Sequence, residues 1–262
     1  LFRDHVRRIV GRTNTVNGTA YAQDETIMSW QLANEPRPGG SEAIGQPNLP
    51  AFYAWIDSSV ELIKSIDRNH LVSTGSEGLK GCLEGEACVM TEHGFAGVDY
   101  LTAHIWPQNW GWIDPADIPG SWPRCEALVR EYIASHVAMA ERLGKPLVIE
   151  EFGFPRDGVS YDPASTTAFK DRYYRLIYEA IEADVARGGP LAGSNFWSWD
   201  GEGPAAHAHH PFHSRDTPFL VDPPHEPQGW YGVFDGDETT LALIREHVGV
   251  LRAASVGRRR LP

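Results

Sequence analysis

The stretch Ile27-Met28-Ser29-Trp30-Gln31-Leu32-Ala33-Asn34-Glu35-Pro36-Arg37-Pro38 decides the fold. Its apolar run from Ile27 to Leu32 has the length of a buried strand, and it stops at Asn34-Glu35-Pro36, where Pro36 has no N–H to continue a ladder. Glu35 is therefore expected at a strand's carboxyl end, the place where parallel α/β folds keep their chemistry. A second stretch, Lys145 to Asp157, repeats the pattern: Leu147-Val148-Ile149 runs into Glu150-Glu151-Phe152-Gly153. Either carboxylate alone is an ordinary solvated strand-end charge. Two of them, each beside Gly or Pro at the end of a buried strand, suggest a paired-carboxylate site. Adjacent strand residues point to opposite faces, so only one of Glu150 and Glu151 is expected to face it.

Outward from these two stretches the chain alternates regularly. Helical spacing of apolar residues predicts helices over 1–12, 51–66, 124–143, 166–187 and 239–251. Strands are expected at 70–75, 99–106 and 193–199 besides the two above. The segment Arg37 to Pro50 reads as a Pro/Gly loop, the stretch around Cys82 and Cys88 as another, and Asp200 to Asp237 as a very long one. Strand and helix alternating in this way mean parallel strands with crossover helices. Loops lengthen after the strands rather than before them, the asymmetry of a (β/α)8 TIM-type barrel with its site on the carboxyl face. No repeat or composition shift marks a second domain, so residues 1–262 are expected to form a single catalytic domain.

A formal charge of -12 would repel a phosphate backbone, which argues against a nucleic-acid partner and suits a neutral substrate. No run approaches the ~20 apolar residues of a membrane helix, so no membrane association is expected. Several of the nine tryptophans, among them Trp106, Trp110, Trp112, Trp122, Trp197, Trp199 and Trp230, fall next to turn residues. Rigid aromatic faces with a polar edge are what sugar rings stack on, although core packing accounts equally well for any single one. Cys82 and Cys88 bracket a Gly-rich loop and are able to pair in an exported chain, leaving Cys125 over. The His-rich loop with His207, His209, His210 and His213 admits a metal reading, but no carboxylate stands at useful spacing; a solvated loop is expected, with no metal and no cofactor.

The pattern N-x-x-x-G-x-x-Y-x-x-D-x-x-I-M-x-W-x-L-x-N-E-P from Asn14 to Pro36 resembles glycoside hydrolase family 5, and WQLANEPRP is most similar to its endo-β-1,4-mannanases. HIWPQNWGW, LVIEEFG and NFWSWDGEG resemble the sixth, seventh and eighth strand ends of bacterial members. The resemblance implies a retaining endo-β-1,4-mannanase, secreted or periplasmic, acting on β-mannan or manno-oligosaccharides. It assigns Glu35 as acid/base and Glu151, which stands immediately before the aromatic-Gly pair, as nucleophile. Asn34 matches the residue that holds the sugar 2-hydroxyl, His104 the sixth-strand histidine, and Trp197 the platform under the cleaved sugar. Trp106 stands where the wider family has a Tyr that bonds the nucleophile, and an indole N–H donates but does not accept. Glu77, Trp110 and Glu202 are further candidates for lining subsites.

Family members begin with three barrel strands, carrying an Arg and a His, ahead of the helix in which this chain starts. Strands four to eight in an open parallel arc are therefore expected, the C-terminal part of a barrel, poorly soluble or inactive alone. Two alternatives stand beside the mannanase: a β-1,4-glucanase on the same barrel, and a non-catalytic carbohydrate-binding remnant. Both glutamates being intact argues against the remnant.

Overall fold

The computed structural model describes residues 1–160, 165–202, 221–223 and 228–258. The histidine-rich loop lies outside the described residues. The chain divides into two compact units: Leu1–His104 with His136–Glu150, and Ile105–Ser135 with Glu151–Pro262.

In the first unit, helix α1 (Phe2–Val10) precedes strand β1 (Ser29–Gln31), helix α2 (Glu42–Ile66), strand β2 (Leu71–Ser73), helix α3 (Glu86–Gly94) and strand β3 (Leu101–Ile105). Strand β1 runs parallel to β2, with Trp30 opposite Val72, and pairs with no other strand among the described residues. Strand β3 neighbours β4 (Leu147–Phe152). The core lies where theory places it for a parallel sheet. Leu32, just past β1, and Val72 of β2 meet the stripe Phe52, Ile56, Val60 and Ile63 of α2, together with Val6 and Val10 of α1. Burying each such side chain contributes roughly 1.5–3 kcal/mol.

In the second unit β4 neighbours β5 (Leu191–Ser194), and β6 (Trp199–Gly201) runs parallel to β7 (Val233–Phe234). Helices α4 (Ile118–Leu143, whose last turns belong to the first unit), α5 (Ala168–Ala186) and α6 (Glu238–Arg258) complete it. Phe152 is fully buried under the rings of Tyr173, Tyr174 and Tyr178 on α5. Parallel strands with intervening helices, in open sheets and without a closed barrel among the described residues, make this an incomplete (β/α)8 architecture.

Four local expectations are corrected. Helix α2 begins at Glu42, inside the expected Pro/Gly loop and through Pro47 and Pro50. Tertiary packing overrides propensity there: a Cβ on Gly45 would meet Leu83 Cδ2 at 2.6 Å, so the glycine lets the helix seat closely against that side chain. Helix α3 starts inside the expected cysteine loop and runs on to Gly94, where the sequence predicts no element. Its apolar pattern is broken by Glu92 and His93, both fully buried, so periodicity conceals it. The last expected strand, 193–199, splits: β5 ends at Ser194 and β6 starts at Trp199. Between them Phe196 and Trp197 are held by side chains, Phe196 against Tyr174 at 6.0 Å and Trp197 on Asp222. Strand β6 runs from the end of that expected strand into the expected long loop, and its partner β7 lies wholly within that loop.

Cys82 and Cys88 form a disulfide, with Cα atoms 5.6 Å apart. Cys125 is free and fully buried, and burial pushes its thiol up to about 12.

Candidate active site

Glu35 follows β1 by four residues and takes φ +48°, a left-handed conformation that a non-glycine residue adopts at a cost of roughly 1–3 kcal/mol. The surrounding backbone over-determines it. Its N–H donates to Gly75 O at 2.9 Å, at the end of the neighbouring strand β2. Gly75 itself has φ +75°, and a Cβ there would lie 2.1 Å from Ala33 O, so only glycine lets the two strand ends approach this closely. Glu84, Leu83 and Val159 share this conformation, but Glu35 adopts it just past a strand's carboxyl end, which makes it a candidate functional position.

The Glu35 carboxylate is three-quarters buried and has two basic neighbours. His104 Nδ1 lies 2.9 Å from Oε1, and Arg37 Nη2 lies 4.0 Å from Oε2. Arg37 also pairs with Glu77, whose side chain is 1% exposed. Burial, and then the charge of Glu35, push the Glu77 carboxyl above its ordinary value, while Arg37 and His104 pull it back. The Glu77 carbonyl accepts the His104 amide at 3.2 Å, so one residue steadies both basic groups. Asn34 stands exposed beside Glu35. Glu35, His104 and Asn34 are thus held within the first unit on the ends of β1 and β3. Arg37 and Glu77 join them; Arg37 was overlooked although it directly follows Asn34-Glu35-Pro36.

Glu150 is settled in the same unit. Its Oε1 accepts the Gln31 side-chain amide and the Tyr100 hydroxyl, the latter at 3.2 Å, and its Oε2 is 4.0 Å from His104 Nε2. Burial pushes the Tyr100 hydroxyl above its ordinary range. A buried carboxylate fixed by two side-chain donors is a structural anchor, whereas Glu151, the next residue, is half-buried. Gln31 and Tyr100 carry no motif of their own, so sequence offers no signal for this anchoring.

The aromatic residues gather in the second unit. Trp106 meets Trp197 edge-on, with ring centroids 6.4 Å apart, and Tyr231 at 5.0 Å. All three line the same glycine. A Cβ on Gly153, two residues after Glu151, would meet Trp197 O at 2.8 Å, Tyr231 Cβ at 2.9 Å and Trp106 Cζ3 at 3.0 Å. Trp197 N–H donates to Phe152 O at 2.8 Å, which ties the aromatic group to the strand end that carries Glu151. The Tyr231 hydroxyl bonds Asn109 Oδ1. Tyr231 and Asp222 were missed because they fall in a long segment without periodicity. Trp110 packs instead against Trp112 at 4.8 Å and Tyr132 at 5.3 Å, and Glu202 is exposed just after β6.

A strained, half-buried carboxylate with an imidazole and a guanidinium at its oxygens suits proton transfer. Half-exposed indole faces beside a second strand-end carboxylate suit a sugar ring.

Comparisons with known proteins agree in kind. Mannan endo-1,4-beta-mannosidase 4 of Oryza sativa subsp. japonica is 34% identical over 210 residues, 75% of this chain and 42% of the relative. A crystal structure of a glycoside hydrolase family 5 mannosidase from Rhizomucor miehei superposes with a TM-score of 0.82 at 34% identity, covering 96% of this chain and 57% of that one. The endo-beta-1,4-mannanase of Thermotoga petrophila shares the fold, with a TM-score of 0.64 at 24% identity, covering 95% of this chain and 49% of that one. The chain thus spans about half the length of the relatives it matches. A family model described as GH family 5 beta-mannosidase-like matches residues 1–255, and the chain belongs to that family.

Proposed function

We propose that this chain carries the catalytic glutamates of a retaining endo-β-1,4-mannanase, with Glu35 as acid/base and Glu151 as nucleophile. The observation that carries the reading is the strained Glu35, held by His104 and flanked by Arg37 at the end of the Asn-Glu-Pro strand. In the first step the Glu151 carboxylate attacks the anomeric carbon of a mannosyl unit while the Glu35 proton passes to the departing glycosidic oxygen. In the second, the Glu35 carboxylate takes a proton from water, and the oxygen of that water displaces Glu151 from the same carbon. Asn34 and Trp197 hold the sugar being cleaved, and Trp106, Trp110 and Glu202 contribute to flanking subsites. The substrates are β-mannan or manno-oligosaccharides; one structural relative was solved in complex with mannosyl-fructose. The disulfide between Cys82 and Cys88 supports a secreted or periplasmic setting.

A second reading, a β-mannosidase acting on chain ends, is favoured by the family description and by the R. miehei mannosidase, which superposes better than the T. petrophila mannanase. Early products from mannohexaose separate the two. Mannobiose and mannotriose at first turnover support internal cleavage, and mannose alone supports the exo reading. Turnover of carboxymethyl cellulose but not mannan would make the chain a glucanase, and affinity for mannan without new reducing ends would make it a binding module.

A further inference from the structure

We infer that Asp222 is a positioning residue that sets the orientation of the Trp197 ring, and through it the fit of the sugar at the bond being cleaved. This rests on the reading of Trp197 as the sugar platform.

Asp222 has no accessible surface, and its Oδ1 accepts the Trp197 indole N–H at 3.0 Å. Its Oδ2 accepts the Gly229 amide, and the Trp230 amide also bonds its carboxylate. The Asp222 carbonyl takes the side-chain amide of Gln228 at 2.9 Å, and Gln228 is itself 1% exposed. The acid therefore sits in a closed cradle of donors, built by a turn at Gly229 with φ +78°. That turn leads directly into Tyr231, which packs on Trp106, which in turn meets Trp197 edge-on. The indole is thus fixed at its polar edge by Asp222 and braced by Trp106, with its backbone tied to Phe152 O.

The choice of a carboxylate is informative. Burying one costs free energy, and burial pushes the Asp222 carboxyl above its ordinary value although the bonds from Trp197, Gly229 and Trp230 and the charge of Lys170 pull it back. A neutral carbonyl would satisfy one indole N–H more cheaply. A charged acceptor makes a stronger and more directional bond, which matters where a ring must hold one angle against a moving substrate.

The test is a double-mutant cycle between Asp222→Asn and Trp197→Phe in the protein at its natural length, with kcat and KM measured on mannohexaose and thermal unfolding followed in parallel. Asp222→Asn should lower kcat/KM about tenfold, mostly through kcat, because a misplaced platform costs transition-state fit. In the Trp197→Phe background, where the donor is gone, the same change should cost less than about twofold if the two act through one bond. An equal loss in both backgrounds would mean that Asp222 acts only through the Gly229 turn, and would overturn the inference. A second variant leaves Asp222 untouched: benzothienylalanine at position 197 keeps the bicyclic face and deletes the N–H. It should reproduce the kcat loss and remove one indole resonance from the nitrogen-proton spectrum; wild-type kcat there would also overturn the inference. If Trp197→Ala leaves kcat/KM unchanged, the platform reading itself fails, a result distinct from either of these.

Discussion

His104 Nδ1 lies 2.9 Å from Glu35 Oε1, while the other ring nitrogen is 4.0 Å from Glu150 Oε2. One buried imidazole thus stands between a carboxylate at a strained strand end and one locked into a hydrogen-bonded network. With 1% of its surface accessible, the ring is screened from solvent. His104→Ala is expected to lower kcat on mannohexaose by about 10²-fold with little change in KM, since it frees the Glu35 carboxyl to leave its productive position. Unchanged kcat in a folded variant would remove His104 from the reaction.

The two proposed roles differ in stereochemistry. With azide and an activated mannoside, Glu35→Ala should give the β-mannosyl azide, because the glycosyl-enzyme still forms and is then intercepted. Glu151→Ala should give the α-azide by direct attack from the vacated face. Proton spectra of the isolated products decide, and exchanged configurations would reverse the assignment.

Trp197→Ala should cost roughly 1–3 kcal/mol in transition-state binding if the ring behaves as other stacked aromatic contacts do. The ratio of kcat/KM for wild type and variant on mannohexaose measures it. A loss confined to thermal stability would return Trp197 to the core.

His70 offers a pH test of stability. Its Nδ1 lies 2.5 Å from Asp67 Oδ2 and its Nε2 lies 3.0 Å from Asp24 O, so both ring nitrogens face acceptors and the charged form satisfies both. Burial lowers the His70 pKa, but the bonds to Asp67 and Asp24 outweigh it, and the net shift is upward. A folded value above the unfolded ~6.5 means that this stabilisation is complete below about pH 6.5 and is lost as pH rises through the folded value. The unfolding midpoint should therefore fall on going from pH 6 to pH 8.5. In His70→Gln this part of the fall should vanish, and an identical pH slope in both proteins would contradict the argument.

Gly75→Ala should destabilise by at least about 2 kcal/mol, because it adds both a left-handed strain and a collision with Ala33 O. Chemical denaturation measures it. Since Gly75 O receives the Glu35 N–H, the variant should also lose activity beyond the loss expected from its unfolded fraction at the assay temperature.

Sequence by itself determined the elements whose signal is local. The apolar runs of β1 and β4, the stripe Phe52, Ile56, Val60 and Ile63, and the break at Asn34-Glu35-Pro36 all rest on near neighbours along the chain. They were enough to specify alternating strands and helices, and to put Glu35 and Glu151 at strand ends. Tertiary structure alone decided what those groups touch. His104 reaches Glu35 across 69 positions and Trp197 reaches Asp222 across 25, distances at which periodicity carries no information. The same reason explains the errors. Gly45 is helical because Leu83 packs on it, α3 is hidden because Glu92 and His93 are buried against the rule for charged residues, and the chain from Asn195 to Ser198 leaves the ladder for side-chain anchors. Alternation along β4 separates Glu150 from Glu151, but only the donors Gln31, on β1, and Tyr100, just before β3, fix Glu150 as an anchor.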